Sequence, residues 1–240
     1  MAQPARVFLV EGEIAAGKTA LVRELGAALR ARGLRVCGIL EPVNEWRRVG
    51  ILAKFYRDPA RYGYAFQTYA FATRVLTIAG AVAASPDADV YLLERSPATD
   101  GVFWALQAGV VDPVEAAMYP VWCAAWQRML PVDLAQAQVL FLRTSPAVCR
   151  QRLADRDRAE EMPGAAGGGV SAEYAQRLRT AHEVFLLGGD AARSAAGLPP
   201  RPFPREAVRE VPAALADRNF RDPGPERDSV IATIIALMGL

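Results

Sequence analysis

A parallel α/β sheet flanked by helices is the architecture this sequence predicts, on three observations. Short apolar, β-rich runs recur along the chain, helical stretches separate them, and each run delivers polar or charged residues at its C-terminal end. Strands that alternate with helices pair in parallel and carry their functional groups along one edge of the sheet. With 240 residues and 52% hydrophobic content, the chain can bury one substantial core and is expected to form a single domain.

The first run, Val7 to Val10, ends at Glu11-Gly12 and is followed after Lys18 by Ala20, Leu21, Val22, Leu25, Ala28 and Leu29 at helical spacing. The second, Val36 to Leu40, closes at Glu41-Pro42, where proline forbids central-strand pairing and keeps Glu41 extended. From Phe66 to Ala84 the chain is apolar, alanine-rich and free of proline, which predicts a long buried helix carrying Gln67, Ala70 and Arg74 on one face. Val90 to Leu93 and Val139 to Leu142 are the third and fourth strands, ending at Glu94-Arg95-Ser96 and Arg143-Thr144. Met162 to Gly169 and Gly188 to Pro204 are rich in glycine, alanine or proline and are expected to be irregular, exposed and mobile. The tail Val230 to Leu240 is too short to cross a bilayer; after Asp228 and Ser229 as capping candidates it is expected to pack as a helix.

Composition excludes several roles. The 28 basic and 26 acidic side chains leave a net charge of +2, so a nucleic-acid polymer is not an expected partner and anion binding must come from local arginine clusters. Cys37, Cys123 and Cys149 form no Cys-x-x-Cys pair, which argues against a metal or disulfide framework. Met1 runs almost directly into the first strand, so no secretion signal and no membrane role are expected and the cytoplasm is the expected compartment.

The strongest chemical signal is Gly12-Glu13-Ile14-Ala15-Ala16-Gly17-Lys18-Thr19, which fits G-x-x-x-x-G-K-T after a strand and before a helix. Glycines let backbone N–H groups turn toward phosphates, the helix N-terminus adds positive potential, Lys18 reaches the outer phosphates and Thr19 can hold Mg²⁺. This motif makes the fold a phosphate-loop (P-loop) NTPase-type three-layer sandwich. Glu41, at a strand end near that loop, is placed to accept a hydroxyl proton, and the Trp46 indole to stack on a base; an ordinary turn and a core tryptophan are the competing readings. Glu94 can contact Mg²⁺ and Arg95 can neutralise phosphate oxygens, against the alternative of a surface salt bridge. Arg152, Arg156 and Arg158 beside the glycine-rich stretch suggest a lid over the triphosphate at about residues 150–170; Asp155, Asp157, Glu160 and Glu161 support instead a solvated helix of paired charges. His182, the sole histidine, is expected at the surface or in a satisfied structural role.

In order along the chain, the phosphate loop, Glu41-Pro42-Val43 with Trp46, Phe66-Gln67-Thr68-Tyr69, Glu94-Arg95-Ser96 with Asp100, and the arginine segment ending at Glu161 resemble the deoxyribonucleoside kinase family over most of the chain. The resemblance implies ATP or another triphosphate as donor, Mg²⁺ as cofactor and a deoxynucleoside 5′-hydroxyl as acceptor. It implies Glu41 as base, Arg95 as the group that steadies it and the developing charge, and Glu94 as an aid to Mg²⁺ binding. Tyr56 and Glu161 would hold the sugar 3′-hydroxyl, Gln67 would bond the nucleobase edge, and Trp46 and Phe66 would wall the pocket. Arg74 and Asp100 match the pair carried by members that prefer deoxycytidine or purine deoxynucleosides over thymidine. Asp217 to Asp222, with Phe220, resembles the loop around the donor adenine. Two departures are Trp104, where a pocket phenylalanine is usual, and a lid lengthened through Met162 to Gly169.

Two rival functions share these features. A nucleoside monophosphate kinase has the same loop and lid but needs basic groups for an acceptor phosphate, which Glu41 would repel. A catalytically silent, kinase-like structural subunit is opposed by Lys18, Glu41 and Arg95. The resemblance also implies a homodimer, for which the apolar stretches Phe71 to Ala84 and Val121 to Leu130 could supply the surface; burial in the core would account for them equally.

Overall fold

A computed structural model describes residues 5–156, 158, 160–162 and 169–240. In chain order the elements are β1 (Arg6–Gly12), α1 (Lys18–Ala31), β2 (Val36–Ile39), α2 (Val43–Val49), α3 (Ile51–Arg57), α4 (Pro59–Ala84), β3 (Val90–Glu94), α5 (Pro97–Ala105), α6 (Pro113–Gln127), β4 (Gln138–Leu142), α7 (Pro146–Asp155), α8 (Ala172–Leu187), α9 (Asp190–Ala195), β5 (Val208–Val211), α10 (Ala213–Ala216) and α11 (Pro225–Leu237). The strands form one parallel sheet in the order β2-β3-β1-β4-β5, so the first strand lies at its centre.

Side chains alternate across each central strand, and the alternation makes the three layers. Phe8 and Val10, Val90 and Leu92, and Leu140 and Leu142 face α1 and α11, where Leu21, Leu25, Ile231 and Ile234 complete one core. Leu9, Tyr91, Leu93, Val139 and Phe141 face the opposite way, onto Ile78 of α4, Val102 of α5 and Phe185 of α8. Both faces are covered, which is why these strands read as continuous apolar runs. The register sets Gly12 opposite Leu142 and Val10 opposite Glu94, so β1 and β4 end level and β3 ends two residues earlier along the same edge.

Several boundaries differ from expectation for identifiable reasons. α4 begins at Pro59, ahead of Phe66, because the Asp58 carboxylate accepts the Arg61 N–H at 3.1 Å and Pro59 occupies the first helical position. Its predicted shared face is real: Gln67, Ala70 and Arg74 are all buried. α11 likewise begins at Pro225 after Gly224, which puts Asp228 within its first turn rather than at the cap. β5 was not legible, since a four-residue edge strand, Val208–Val211, shows only two buried side chains between prolines.

The segment Gly188 to Pro204 is mostly exposed, as expected, but it is not irregular throughout. It contains α9, buries Leu198 and Phe203 against the sheet, and is tied down by Arg201, which donates to the carbonyls of Phe185 at 3.1 Å and Leu186 at 2.6 Å. A cation that satisfies the open carbonyls at the end of α8 turns a proline-rich stretch into packed structure. Most of Met162 to Gly169 lies outside the described residues. Among those described, no helix is long and apolar enough to cross a membrane, and Cys37, Cys123 and Cys149 are free thiols.

Leu140 is fully buried in the central strands. Leu140→Ala should lower the unfolding free energy by about 2–5 kcal/mol in urea titration. Val114→Ala, at a side chain 67% exposed, should change it by about 0.5 kcal/mol or less.

Candidate active site

The turn after β1 closes through two glycines. Gly12 has φ +149°, and a Cβ there would sit 3.1 Å from the Leu142 carbonyl oxygen; Gly17 has φ +101°, and its Cβ would meet the Arg152 guanidinium at 3.0 Å. Larger residues would therefore both strain the backbone and collide. The Lys18 ammonium donates to the carbonyls of Glu13 at 2.6 Å and Gly12 at 3.3 Å. Burial, then the neighbouring Arg95, lower its pKa to about 8 against the pull of Glu41, Glu94 and Glu11. Thr19 Oγ1 donates to Glu94 Oε1 at 2.6 Å, which joins the two residues singled out for a metal. Among the described residues no three His, Cys, Asp or Glu side chains cluster to hold a metal ion on their own.

Glu41 sits beyond the end of β2, and its charge is managed from two sides. Oε1 accepts from Arg74 Nη2 at 2.8 Å and lies 3.5 Å from Arg95 Nε. Burial alone would raise its pKa, but Arg74, Arg95 and Lys18 outweigh burial and hold it well below the usual carboxylate range. Arg74 meanwhile forms a bidentate pair with Asp100, Nε to Oδ2 and Nη2 to Oδ1, both at 2.9 Å. One guanidinium thus links Asp100 on α5 to Glu41, and it lies 5.6 Å over the Trp46 ring.

Lys18, Thr19, Glu41, Glu94 and Arg95 border a cavity of about 520 Å³ that Trp46, Tyr56 and Phe66 also line, while Gln67, Arg74 and Asp100 are not among its lining residues. Trp46 meets Phe66 edge to face with centroids 5.5 Å apart, and its Nε1 donates to Thr73 at 2.8 Å, so the indole has a fixed orientation. Gln67 and Arg74, two turns apart on one face of α4, are buried, and Gln67 Nε2 and Arg74 Nη1 have no hydrogen-bond partner among the described residues. Buried donors without acceptors are costly, and a polar ligand edge would relieve both. Glu161 is buried between Arg156 and Arg158, and it lies close enough to Tyr56 that its charge, after burial, raises the phenol's pKa. Two of the three expected lid arginines, Arg156 and Arg158, therefore form one cluster with the sugar-side residues.

Arg152 behaves differently from the other two arginines. Its guanidinium donates to the carbonyls of Ala16 at 2.9 Å, Asp217 at 3.0 Å and Arg218 at 2.7 Å, which ties the phosphate loop to the loop after α10. Phe220 is buried with its ring edge against Gly17, so it backs the loop, and it lines the cleft there together with Asp217, Asn219 and Arg221. Trp104 does not line the cleft. It stacks on Tyr119 at 3.9 Å and faces a second, largely apolar cavity on the far side of α5. Its neighbour Phe103 lines the cleft instead, as does Phe55, which stacks on Phe66 at 4.7 Å. Adjacent aromatics on a short helix point about 100° apart, and periodicity alone could not choose between them.

Two more residues were missed. Glu11, fully buried just before the loop, accepts from Ser96 at 3.1 Å and Thr99 at 3.0 Å. Burial raises its pKa to about 7 despite Arg95, Thr99, Ser96 and Lys18. Arg179 of α8 pairs with Glu13 and donates to the Thr144 carbonyl at 2.7 Å, bracing the loop from the other side. A carboxylate directly between an apolar run and the phosphate loop was the available signal for Glu11.

Residues 8–221 match the family of deoxynucleoside kinases. The chain belongs to the deoxynucleoside kinase family. Its relatives include the probable deoxycytidine kinase of fowlpox virus (strain NVSL), 32% identical over 180 residues that cover 74% of this chain and 70% of that protein. Deoxycytidine kinase 2 of Gallus gallus is 28% identical over 205 residues, covering 75% and 74%. The mitochondrial thymidine kinase 2 of Homo sapiens is 29% identical over 189 residues, covering 76% and 65%. This kinase is accordingly an ATP-dependent deoxynucleoside kinase on a P-loop α/β fold.

Glu11 offers a test of this electrostatic picture. A carboxyl whose pKa rises from 4.5 unfolded to about 7 folded favours the fold fully below pH ~4.5 and loses that contribution as pH climbs through ~7. Wild type should therefore lose stability relative to Glu11→Gln between pH 4.5 and 7.5, measured by urea unfolding; a parallel pH dependence of the two proteins would refute it.

Proposed function

We propose that this kinase transfers the γ-phosphoryl group of ATP to the 5′-hydroxyl of a deoxynucleoside, with cytosine or purine bases preferred over thymine. The observation that carries the reading is the single Arg74 guanidinium shared by Asp100 and Glu41, which couples a base-selecting pair directly to the carboxylate beside the phosphate loop.

In this reading the base lies against Trp46 and Phe66 with its polar edge toward Gln67 Nε2 and Arg74 Nη1. Tyr56 and Glu161 hold the 3′-hydroxyl, and the 5′-hydroxyl is presented to Glu41. An ionised Glu41 orients that hydroxyl and takes its proton as the bond to phosphorus forms. Its low basicity suits a loose transition state, in which the proton leaves late. Lys18 and Arg95 neutralise the transferring oxygens, while Arg156 and Arg158 close from the lid side. Thr19 and Glu94, two oxygen donors already in contact, fit Mg²⁺ held jointly with phosphate oxygens. Bound there, the ion would neutralise charge on the donor phosphates. Exposed Leu76 on α4 and Met118 and Val121 on α6 support a homodimer through those helices, and nucleotide salvage is the setting this chemistry fits.

A monophosphate acceptor would bring its charge against Glu41. Turnover of a deoxynucleoside should therefore greatly exceed that of its 5′-monophosphate in a coupled assay; the reverse order would replace this reading with a monophosphate kinase. Glu41→Ala should lower kcat by about 10²- to 10⁴-fold with the fold retained.

Arg74→Met with Asp100→Ala should raise the ratio of thymidine to deoxycytidine turnover. Because Arg74 also holds Glu41, the overall rate should fall, so the ratio is the quantity to measure. An unchanged ratio would remove the pair from base selection.

A further inference from the structure

Arg95 follows β3 with φ +63°, in the left-handed region that a non-glycine residue occupies only when its surroundings hold it there. Those surroundings are specific. Its Nε lies 3.5 Å from Glu41 Oε1, and its guanidinium lies 4.7 Å over the Phe103 ring. On the side away from Glu41, Nη1 lies 3.1 Å from His182 Nε2 and 4.0 Å from Glu11 Oε2. His182 is fully buried, which leaves the second of its two expected placements, a satisfied position inside the fold, and none of the steps above uses it.

The contacts of His182 select one protonation state. A guanidinium carries only donors, so Nε2 must accept. Nδ1 lies 2.9 Å from the Leu178 carbonyl oxygen, one turn earlier in α8, which only an N–H can satisfy. The ring is therefore neutral with its proton on Nδ1, in keeping with burial and the charge of Arg95, which push its pKa down to about 3. Phe103 meets the imidazole edge to face at 5.6 Å and also underlies Arg95, so ring and guanidinium share one support.

An acceptor here has a particular consequence. Glu11 Oε2 has no hydrogen-bond partner among the described residues and lies 4.0 Å from the same Nη1. An Arg95 released from His182 has a competing carboxylate toward which to swing, away from Glu41.

We propose that His182 is a positioning residue: its Nε2 holds the Arg95 guanidinium in the orientation that serves phosphoryl transfer, and Leu178 holds the imidazole in the tautomer that can do so. The inference rests on the role given to Arg95 under the proposed function.

The test compares kcat and KM on the best deoxynucleoside for wild type, His182→Phe, His182→Gln, Arg95→Ala and the double variant His182→Phe with Arg95→Ala. Phenylalanine keeps a ring without an acceptor, whereas glutamine restores an acceptor oxygen. Expected are a fall in kcat of about 10- to 100-fold for His182→Phe, a deoxynucleoside KM within about 3-fold of wild type, and recovery of most of the loss in His182→Gln. The double variant should be no slower than Arg95→Ala alone. A wild-type kcat in His182→Phe, equal losses in the phenylalanine and glutamine variants at wild-type Tm, or full additivity with Arg95→Ala would each overturn the proposal. Should circular dichroism show His182→Phe unfolded, His182→Asn takes its place under the same criteria, since asparagine can keep the Leu178 bond but does not reach Arg95. An unimpaired Arg95→Ala would instead overturn the role of Arg95, and this inference with it. A slow Arg95→Ala beside normal His182 variants would overturn this inference alone.

Discussion

Arg74 holds two carboxylates from different parts of the chain with one guanidinium, and the shape of the cleft follows from that shared contact. Asp100 comes from α5 and Glu41 from the connection after β2, while Arg74 lies on α4, which packs between them. Arg74 and Asp100 are buried and Glu41 is mostly so, and a buried charge is tolerated only with partners in good geometry. Moving any one of the three would leave at least one of the others uncompensated. The arrangement therefore pins α4 to α5 and sets Glu41 at a defined depth beside Lys18 and Arg95.

The opposite wall is held mainly by side-chain donors on backbone carbonyls, with one ion pair behind the loop. Arg152 spends its donors on carbonyls of the phosphate loop and the loop after α10, and Phe220 packs under Gly17. Arg179 and Glu13 brace the loop from α8. A loop whose N–H groups must converge on phosphates has few side chains of its own to stiffen it, so its rigidity comes from neighbours that bind its carbonyls. The two walls meet at the C-terminal edge of a parallel sheet, where strand register brings residues distant in sequence to one level.

The two aromatic cavities on either side of α5 show how local the division of labour is. Phe103 faces the cleft and Trp104 faces the second cavity, where it stacks on Tyr119 of α6. A single step along the helix separates a residue at the site from one in the supporting core.

Much of this was present in the sequence by itself. The glycine-lysine-threonine spacing after an apolar run specifies a phosphate loop because only that backbone path presents N–H groups and an ammonium together. Four of the five strands were legible as short apolar runs, the three central ones because both faces of a parallel sheet are buried, and the i, i+7 spacing of Gln67 and Arg74 is enough to put them on one face of a helix. Glu41, Glu94 and Arg95 were visible as charges at strand ends. What only the tertiary structure decided was which of those charges meet: that Arg74 serves Glu41 as well as Asp100, that Arg152 is a brace apart from its lid neighbours, and that His182 and Glu11 stand behind Arg95. Period and composition describe one element at a time. Contacts between residues 87 positions apart, as for Arg95 and His182, exist only once the sheet and its helices have packed.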